Sequence, residues 1–382
     1  MKKLWLIIVV LFTTFALVGC INDGADTDLP EVTEGDLIEV SLEETYELLQ
    51  TMEMPEITGN IVAELKGSIK GVFEALLTES YFDGYDYETF EPIYRSMDKY
   101  RKVDVDAEVD ALLNVVLGET FNEFALYALL NKLEVDVSDT YTVDYDNGDT
   151  DNGTDNIEIS ASNTFVYMNK GLGYVQQNYT TKEGNKTVQY HSKEKVELDI
   201  ISEEEYSKNI EDYKNQLEEG FKLPSFDEIS EQMEAMEDLA DFIKVYKDGN
   251  RYVIRYQLTK ATLEQILEDV LAQFINLVDE EGENPTVNSF LNIITEAITD
   301  FEYDFRIEIV DKVLTSISMT FNAKVENFEY NIDDTNYIKI HGEIKDFGFV
   351  IRYNGKLSDF PKESDLETFE LVDEISSPEL GM

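Results

Sequence analysis

The stretch KVDVDAEVDA, residues 102–111, alternates apolar with charged side chains at almost every step. Val103, Val105, Ala107 and Val109 are its apolar positions, and four acids and a lysine lie between and beside them. Side chains of an extended strand point alternately to opposite faces, so a period of two predicts a strand with one buried and one solvated face.

Further strands are predicted on the C-terminal side of this stretch, where Gly, Asn and Asp separate pairs of apolar, β-branched runs. These residues favour tight turns, so each pair predicts an antiparallel hairpin. The paired runs are 133–145 with 157–168, 173–181 with 186–198, and 243–246 with 252–258. Residues 301–353 are again strand-rich, whereas residues 57–73 fit a strand or a helix equally well.

Helices are predicted where a capping residue precedes an apolar stripe. Ser41 with Glu44 marks the first start, and further starts fall at Ser202, Ser225, Thr262 and Pro285. Residues 119–132 also fit a helix. The helix that begins at Thr262 carries a stripe that includes Ile266, Val270, Phe274 and Ile275.

The predicted elements follow the order strands, helices, a hairpin, helices and strands. This order predicts an α+β fold rather than alternating βαβ units. We expect a large curved antiparallel sheet, half-barrel-like, with helices packed on its concave face. The predicted divisions are a signal peptide (1–19), an acidic flexible tether (20–40), a helical, aromatic-rich subdomain (41–100), a sheet-and-helix domain (101–360) and an acidic C-terminal tail of low order (361–382).

The charge of the chain restricts its partners. It has 81 Asp and Glu against 30 Lys and Arg, a formal net charge of −51. Such a surface repels phosphates, so we expect no nucleic-acid binding and no attachment to anionic lipids through a basic patch. Cations or a basic protein partner would be attracted.

The N-terminus resembles that of bacterial lipoproteins. Lys2 and Lys3 precede an apolar run at residues 4–17, which is too short for a typical membrane span and fits the core of a signal peptide. Leu17-Val18-Gly19-Cys20 then resembles a lipobox. The resemblance implies cleavage between Gly19 and Cys20 and a lipid on the Cys20 thiol, hence a lipid-anchored protein on the extracytoplasmic face of the cell membrane.

The order of elements in residues 101–360 is similar to that of the LolA/LprG-like lipoproteins. The hairpin FIKVYKDGNRYVIRYQL at 242–258, the helix after it and the strands around VLTSISMTF at 313–321 carry the similarity. It implies a fold able to hold a lipid or another apolar ligand, and it transfers no binding residue.

Three groups of residues are candidate sites. Ile266, Val270, Phe274 and Ile275 would line a ligand cleft or serve as core, which use the same residue types. Carboxylates of a hairpin loop could bind calcium, although Gly148 occupies a ligand position of the EF-hand pattern and we favour a solvated loop; they are Asp144, Asp146, Asp149, Asp151 and Asp155. Seven aromatic side chains between residues 81 and 100 form either a contact surface or sheet packing.

No catalytic motif stands out. The sequence lacks G-x-S-x-G, G-x-x-x-x-G-K-[ST] and H-E-x-x-H, and its one cysteine is assigned to the lipid. His191 and His341 fit ordinary strand positions. We therefore expect a non-enzymatic, cofactor-free binding lipoprotein for an apolar ligand. The alternative is a surface lipoprotein that binds a protein partner or cations through its acidic face.

Replacing Cys20 with Ser removes the thiol that takes the lipid, so we expect an unlipidated precursor that no longer partitions into detergent. Phase separation with a nonionic detergent measures this directly. A C20S protein that enters the detergent phase as wild type does would contradict the anchor.

Overall fold

The protein, in a computed structural model, forms one 13-stranded sheet. The structure describes residues 38–53, 59–89, 91–198, 202–220, 243–263, 293, 296–357 and 359–376. The first half of the chain contributes β1 (Ile38–Glu39), β2 (Gly59–Tyr85), β3 (Pro92–Leu117), β4 (Ala125–Tyr145), β5 (Thr150–Asn169), β6 (Leu172–Glu183) and β7 (Lys186–Glu197). The second half contributes β8 (Ile243–Asp248), β9 (Arg251–Thr259), β10 (Ile298–Val310), β11 (Val313–Asn331), β12 (Tyr337–Tyr353) and β13 (Glu370–Leu371).

The sheet consists of two antiparallel meanders placed side by side. Strands β2 to β7 form one and β8 to β12 form the other, each with chain neighbours paired in space. Strand β12 pairs with β2 from Tyr337/Leu76 to Tyr353/Ile61, which joins the meanders. Short strands lie at the edges: β1 is antiparallel to β8, and β13 is parallel to β7.

Local sequence accounts for much of this topology. The alternating stretch at 102–111 lies in β3 and pairs with β2 on one side and β4 on the other. The predicted turns after Lys182 and Lys247 are hairpin turns, and Gly184 and Gly249 adopt φ of +54° and +60° there, which glycine tolerates best. These hairpin predictions are confirmed.

The predicted fold class is wrong. The described part of the chain is mostly β, with 70% of its residues in strands and 12% helical, and it is not an α+β fold with helices packed on one face. The described helices are α1 (Leu42–Thr51), α2 (Glu203–Gly220) and α3 (Glu363–Leu366), with a 3₁₀ turn at Phe121–Glu123. Helices starting at Ser41 and Ser202 were predicted, and those predicted from Ser225, Thr262 and Pro285 lie largely outside the described residues.

One local prediction fails because tertiary pairing overrides propensity. Residues 119–132 contain Ala and Leu, which favour helices, yet β4 begins at Ala125 and pairs with β3 and β5. Residues 59–73, which fit a strand or a helix equally well in sequence, belong to β2, and β2 and β3 occupy most of the predicted helical, aromatic-rich subdomain.

The C-terminal residues also differ from the expected tail of low order. Leu366 of α3 and Phe369 are buried in one cluster with Leu112, Tyr127 and Tyr167 of β3, β4 and β5. Apolar side chains in an otherwise acidic segment anchor it to the sheet. The prediction of low order is therefore wrong for residues 361–376, and residues 377–382 lie outside the described range.

Two facing glycines allow β2 and β12 to approach closely. Gly71 pairs with Gly342. A Cβ on Gly342 would lie 2.7 Å from the Lys70 carbonyl oxygen and 3.0 Å from the Gly71 Cα, whereas a Cβ on Gly71 would find its nearest atom, the His341 carbonyl oxygen, at 3.3 Å. The backbone thus excludes a side chain at 342 much more strictly than at 71.

A buried ion cluster holds β9 against β10. The Asp304 side chain is only 3% exposed and accepts hydrogen bonds from Arg255 Nη2 at 2.8 Å and Arg306 Nε at 3.0 Å. Burial raises the pKa of Asp304, but the hydrogen bonds and charges of Arg306 and Arg255 outweigh burial and hold the pKa below its ordinary value.

We expect Gly342→Ala to lower the free energy of unfolding by about 2 kcal/mol, because the new methyl group forces two backbones apart. The matched control is Gly71→Ala, which we expect to cost less than about 1 kcal/mol, since the space is larger and alanine reduces the entropy of the unfolded chain. Urea unfolding of both variants measures the difference. Equal losses would contradict the proposed close approach.

We expect Asp304→Asn to lower the free energy of unfolding by about 3 kcal/mol at neutral pH, because two arginines lose their buried counter-ion. A depressed pKa contributes stability above the unfolded value of about 3.9, and this contribution disappears as the pH falls through the folded value. The difference from wild type should therefore shrink below about pH 4 in urea unfolding. The exposed Asp300→Asn on the same strand is the control, and a loss as large as that of D304N would contradict the role of burial.

Candidate functional site

An apolar surface crosses the middle of the sheet. Paired residues on neighbouring strands point to the same face. One row runs from β11 to β5 through Ala323, Ile344, Ile69, Ala107, Val135 and Ile159. The next row on that face is Val325, Gly342, Gly71, Val105, Val137 and Ile157, and the row after it begins Phe328, Ile340, Phe73 and Val103.

We define the central apolar patch as Ile69, Phe73, Val103, Val105, Ala107, Ile340 and Ile344. Ile69 is 41% exposed to solvent, and Phe73 and Ile340 are exposed to nearly the same extent. The glycines 71 and 342 lie between these side chains and add no side chain of their own. An exposed apolar surface of this extent, formed by adjacent side chains, typically marks a binding surface.

The patch has distinct ends. Along β2 it leads through Leu65 to the buried Ala63, so one end merges with the core. At the other end, on the same face as Val103, Arg101 Nε donates to Asp139 Oδ1 at 3.0 Å. This hydrogen bond raises the pKa of Arg101, which stays cationic. The patch therefore runs from the core to an ion pair at its rim.

The opposite face of the same strands is charged. Lys324, Glu343, Lys70, Asp106, Asp136 and Glu158 form a row across six strands. Lys70 Nζ lies 2.7 Å from Asp106 Oδ2, and this hydrogen bond raises the pKa of Lys70. A groove of about 540 Å3 on this face is lined by the charged side chains of this row other than Glu158, together with Val72, Asp104 and His341.

A second concavity, of about 360 Å3, lies where the C-terminal segment meets the sheet. Tyr127, Phe165, Phe360 and Phe369 form its aromatic part, and Lys193 lies with its Nζ 5.7 Å from the centre of the Phe369 ring. These rings also contact one another, with Tyr127 and Phe165 centroids 5.7 Å apart. The space is therefore a gap at the margin of a packed aromatic core.

The five candidate calcium carboxylates are spread over a hairpin. The turn comprises only residues 146–149, and Asp151 and Asp155 lie within β5. Asp144 accepts from Thr150 Oγ1 at 2.8 Å, Asp146 from the Ser96 amide at 3.3 Å, and Asp149 from Asn147 Nδ2 at 2.8 Å. Among the described residues, no group of three His, Cys, Asp or Glu side chains is placed to hold a metal ion. The calcium site stays a prediction without geometric support.

Two other sequence-predicted sites lie outside the described residues. These are Gly19 and Cys20 at the predicted cleavage point, and the stripe of Ile266, Val270, Phe274 and Ile275. The central apolar patch was not predicted as a site. The alternation of Val103, Val105 and Ala107 indicated one strand of this patch. Ile69 and Ile340 belong to the patch through strand pairings that a sequence does not reveal.

The aromatic segment at 81–100 lies at the tip of the longest hairpin. Strand β4 pairs with β3 only as far as Met97, and β12 pairs with β2 only as far as Leu76. The hairpin of β2 and β3 continues beyond both neighbours to Tyr85 and Pro92. Its tip therefore extends past the rest of the sheet as a two-stranded projection.

No protein-family model matches the chain, and no curated protein matches it significantly. Within the described ranges, no helix combines the length and apolar composition needed to cross a bilayer.

Proposed function

We propose that this protein is a non-enzymatic lipoprotein, anchored through Cys20 outside the cytosol, that binds the hydrocarbon part of an amphipathic lipid on its central apolar patch. The observation that carries the proposal is the partial exposure of Ile69, Phe73 and Ile340 side by side on one face of an otherwise highly charged protein. Completing the burial of such side chains is favourable.

The dimensions of the patch support a lipid chain. The patch lies on β12, β2 and β3, and the two apolar rows that continue it on this face cross six strands, which span about 24 Å at a spacing of about 4.8 Å. Along the strands the patch covers about 13 Å. One leaflet of a bilayer is about 15 Å of hydrocarbon, which is the length of one acyl chain. A chain lying across the patch and along the apolar rows that continue it would have room for its full length.

The ends of the patch support an amphipathic rather than a purely apolar ligand. Hydrocarbon would lie towards the core end, and the polar head would lie towards Arg101 and Asp139. Arg101 is largely exposed, so its guanidinium can contact a head group while it keeps its bond to Asp139. The predicted lipid on Cys20 would keep this surface close to a membrane that supplies such ligands.

We expect Phe73→Ser and Ile340→Ser each to weaken the binding of fluorescently labelled palmitic acid about fivefold, because the exposed part of each side chain contributes roughly 1 kcal/mol. The two residues are neighbours, so the double variant tests the patch as a unit, and we expect a loss of tenfold or more. Fluorescence titration of the delipidated protein measures the dissociation constant, and urea unfolding verifies folding.

The matched control is Val72→Ser, which removes an apolar side chain from the opposite face of β2. Equal weakening by V72S, or the absence of binding by wild type, would contradict the proposal.

Accessibility provides a second test, since Phe73→Cys adds a thiol to a chain whose one cysteine is predicted to carry lipid. If a maleimide fails to label it in the folded, delipidated protein, the chain itself covers the patch.

A further inference from the structure

The projecting tip of the β2–β3 hairpin exposes aromatic side chains. Tyr87 is 96% exposed, and Phe82, Tyr85 and Tyr94 are between 52% and 66% exposed. We call these four residues the aromatic tip. The ring centroids of Phe82 and Tyr85 are 5.2 Å apart, and those of Phe82 and Tyr94 are 6.1 Å apart, both edge to face. The tip thus presents ordered rings to solvent.

The turn that carries Tyr87 is itself fixed. Asp86 Oδ1 accepts hydrogen bonds from the backbone amides of Glu88 and Thr89, both at 2.8 Å. The Asp86 amide donates to the Glu91 carbonyl oxygen at 2.9 Å. A partner that contacts Tyr87 would therefore meet a preorganised surface, which reduces the entropy lost on binding.

The charges of the tip determine which partner it fits. Between Glu79 and Lys99 there are six acidic and two basic side chains. Both basic side chains are engaged, because Arg95 forms an ion pair with Asp83 and Lys99 with Glu79. Glu88 and Glu91 flank Tyr87 and lie exposed. The tip combines aromatic faces with surplus negative charge.

We propose that the aromatic tip is a docking site for a basic, arginine-bearing segment of another protein. Guanidinium groups stack on exposed tyrosine rings and pair with carboxylates, so one arginine-rich segment satisfies both features of the tip. Tyrosine and arginine are also enriched where protein interfaces concentrate their binding energy. Anionic membranes and nucleic acids are repelled by the same carboxylates.

The test uses the purified full chain and a synthetic peptide of alternating arginine and serine, with a glutamate–serine peptide as the charge-reversed control. Calorimetry near physiological ionic strength limits unspecific attraction, since the screening length is then about 8 Å. We expect Tyr87→Ala to raise the dissociation constant about threefold and Tyr87→Phe to leave it nearly unchanged, because the ring is the contact. Glu88→Gln combined with Glu91→Gln should raise it by a similar factor.

The matched control removes two acidic side chains from the turns of other hairpins, through Glu183→Gln and Asp334→Asn. We expect this control to leave the dissociation constant nearly unchanged. Equal weakening by the control, or no effect of Y87A, would overturn the proposal in favour of attraction by net charge alone. Binding of a neutral oligosaccharide or of zwitterionic vesicles with the same dependence on Tyr87 would also overturn it. Palmitic acid binding should be unaffected in Y87A, so this proposal and the proposed function fail independently.

Discussion

The pairing of β2 with β12 is the contact on which the sheet depends. It joins residues more than 250 positions apart in the chain and unites two meanders that share no other long strand pair among the described residues. Without it, each meander would have an unpaired edge of long, alternating strand, the kind of edge that pairs with other chains. Gly71 and Gly342 lie within this pairing, and they also form the floor of the central apolar patch. The contact that completes the sheet therefore also shapes its candidate binding surface.

Strict alternation allows a chain of net charge −51 to present an apolar surface at all. In β3, Asp104 and Asp106 point away from the face on which Val103, Val105 and Ala107 lie. A shift of one residue in any of the central pairings would place carboxylates beside isoleucines, so the charge pattern itself selects the register. The acidic composition and the apolar patch are two consequences of one periodicity.

Local sequence predicted the elements that local physics controls. The alternation at 102–111, the hairpin turns at Gly184 and Gly249 and the cap at Ser41 were all predicted, because each depends on residues close together in the chain. Residues 125–132 were assigned to a helix because Ala and Leu favour one in isolation, and only pairing with β3 and β5 makes them a strand. The burial of Leu366 and Phe369 was not predicted. Two apolar residues in an acidic tail can be recognised as core residues only when Tyr127 and Tyr167 are known to lie beneath them. The central apolar patch needed the pairings of β2 with β3 and β12, which no local pattern contains.

Strand length explains why this sheet retains an apolar surface. Strands β2 and β3 have 27 and 26 residues, several times the usual five or six. A strand of that length extends about 85 Å if straight, whereas α1, with ten residues, covers only about 15 Å. Most of the described buried side chains lie towards one end of the long strands, among them Ala63, Leu112 and Ile351, and the middle keeps both faces partly exposed. Charged side chains make one of these faces compatible with water. The other face is apolar, and it gains stability from any hydrocarbon that covers it, which is the physical reason to look for a ligand there.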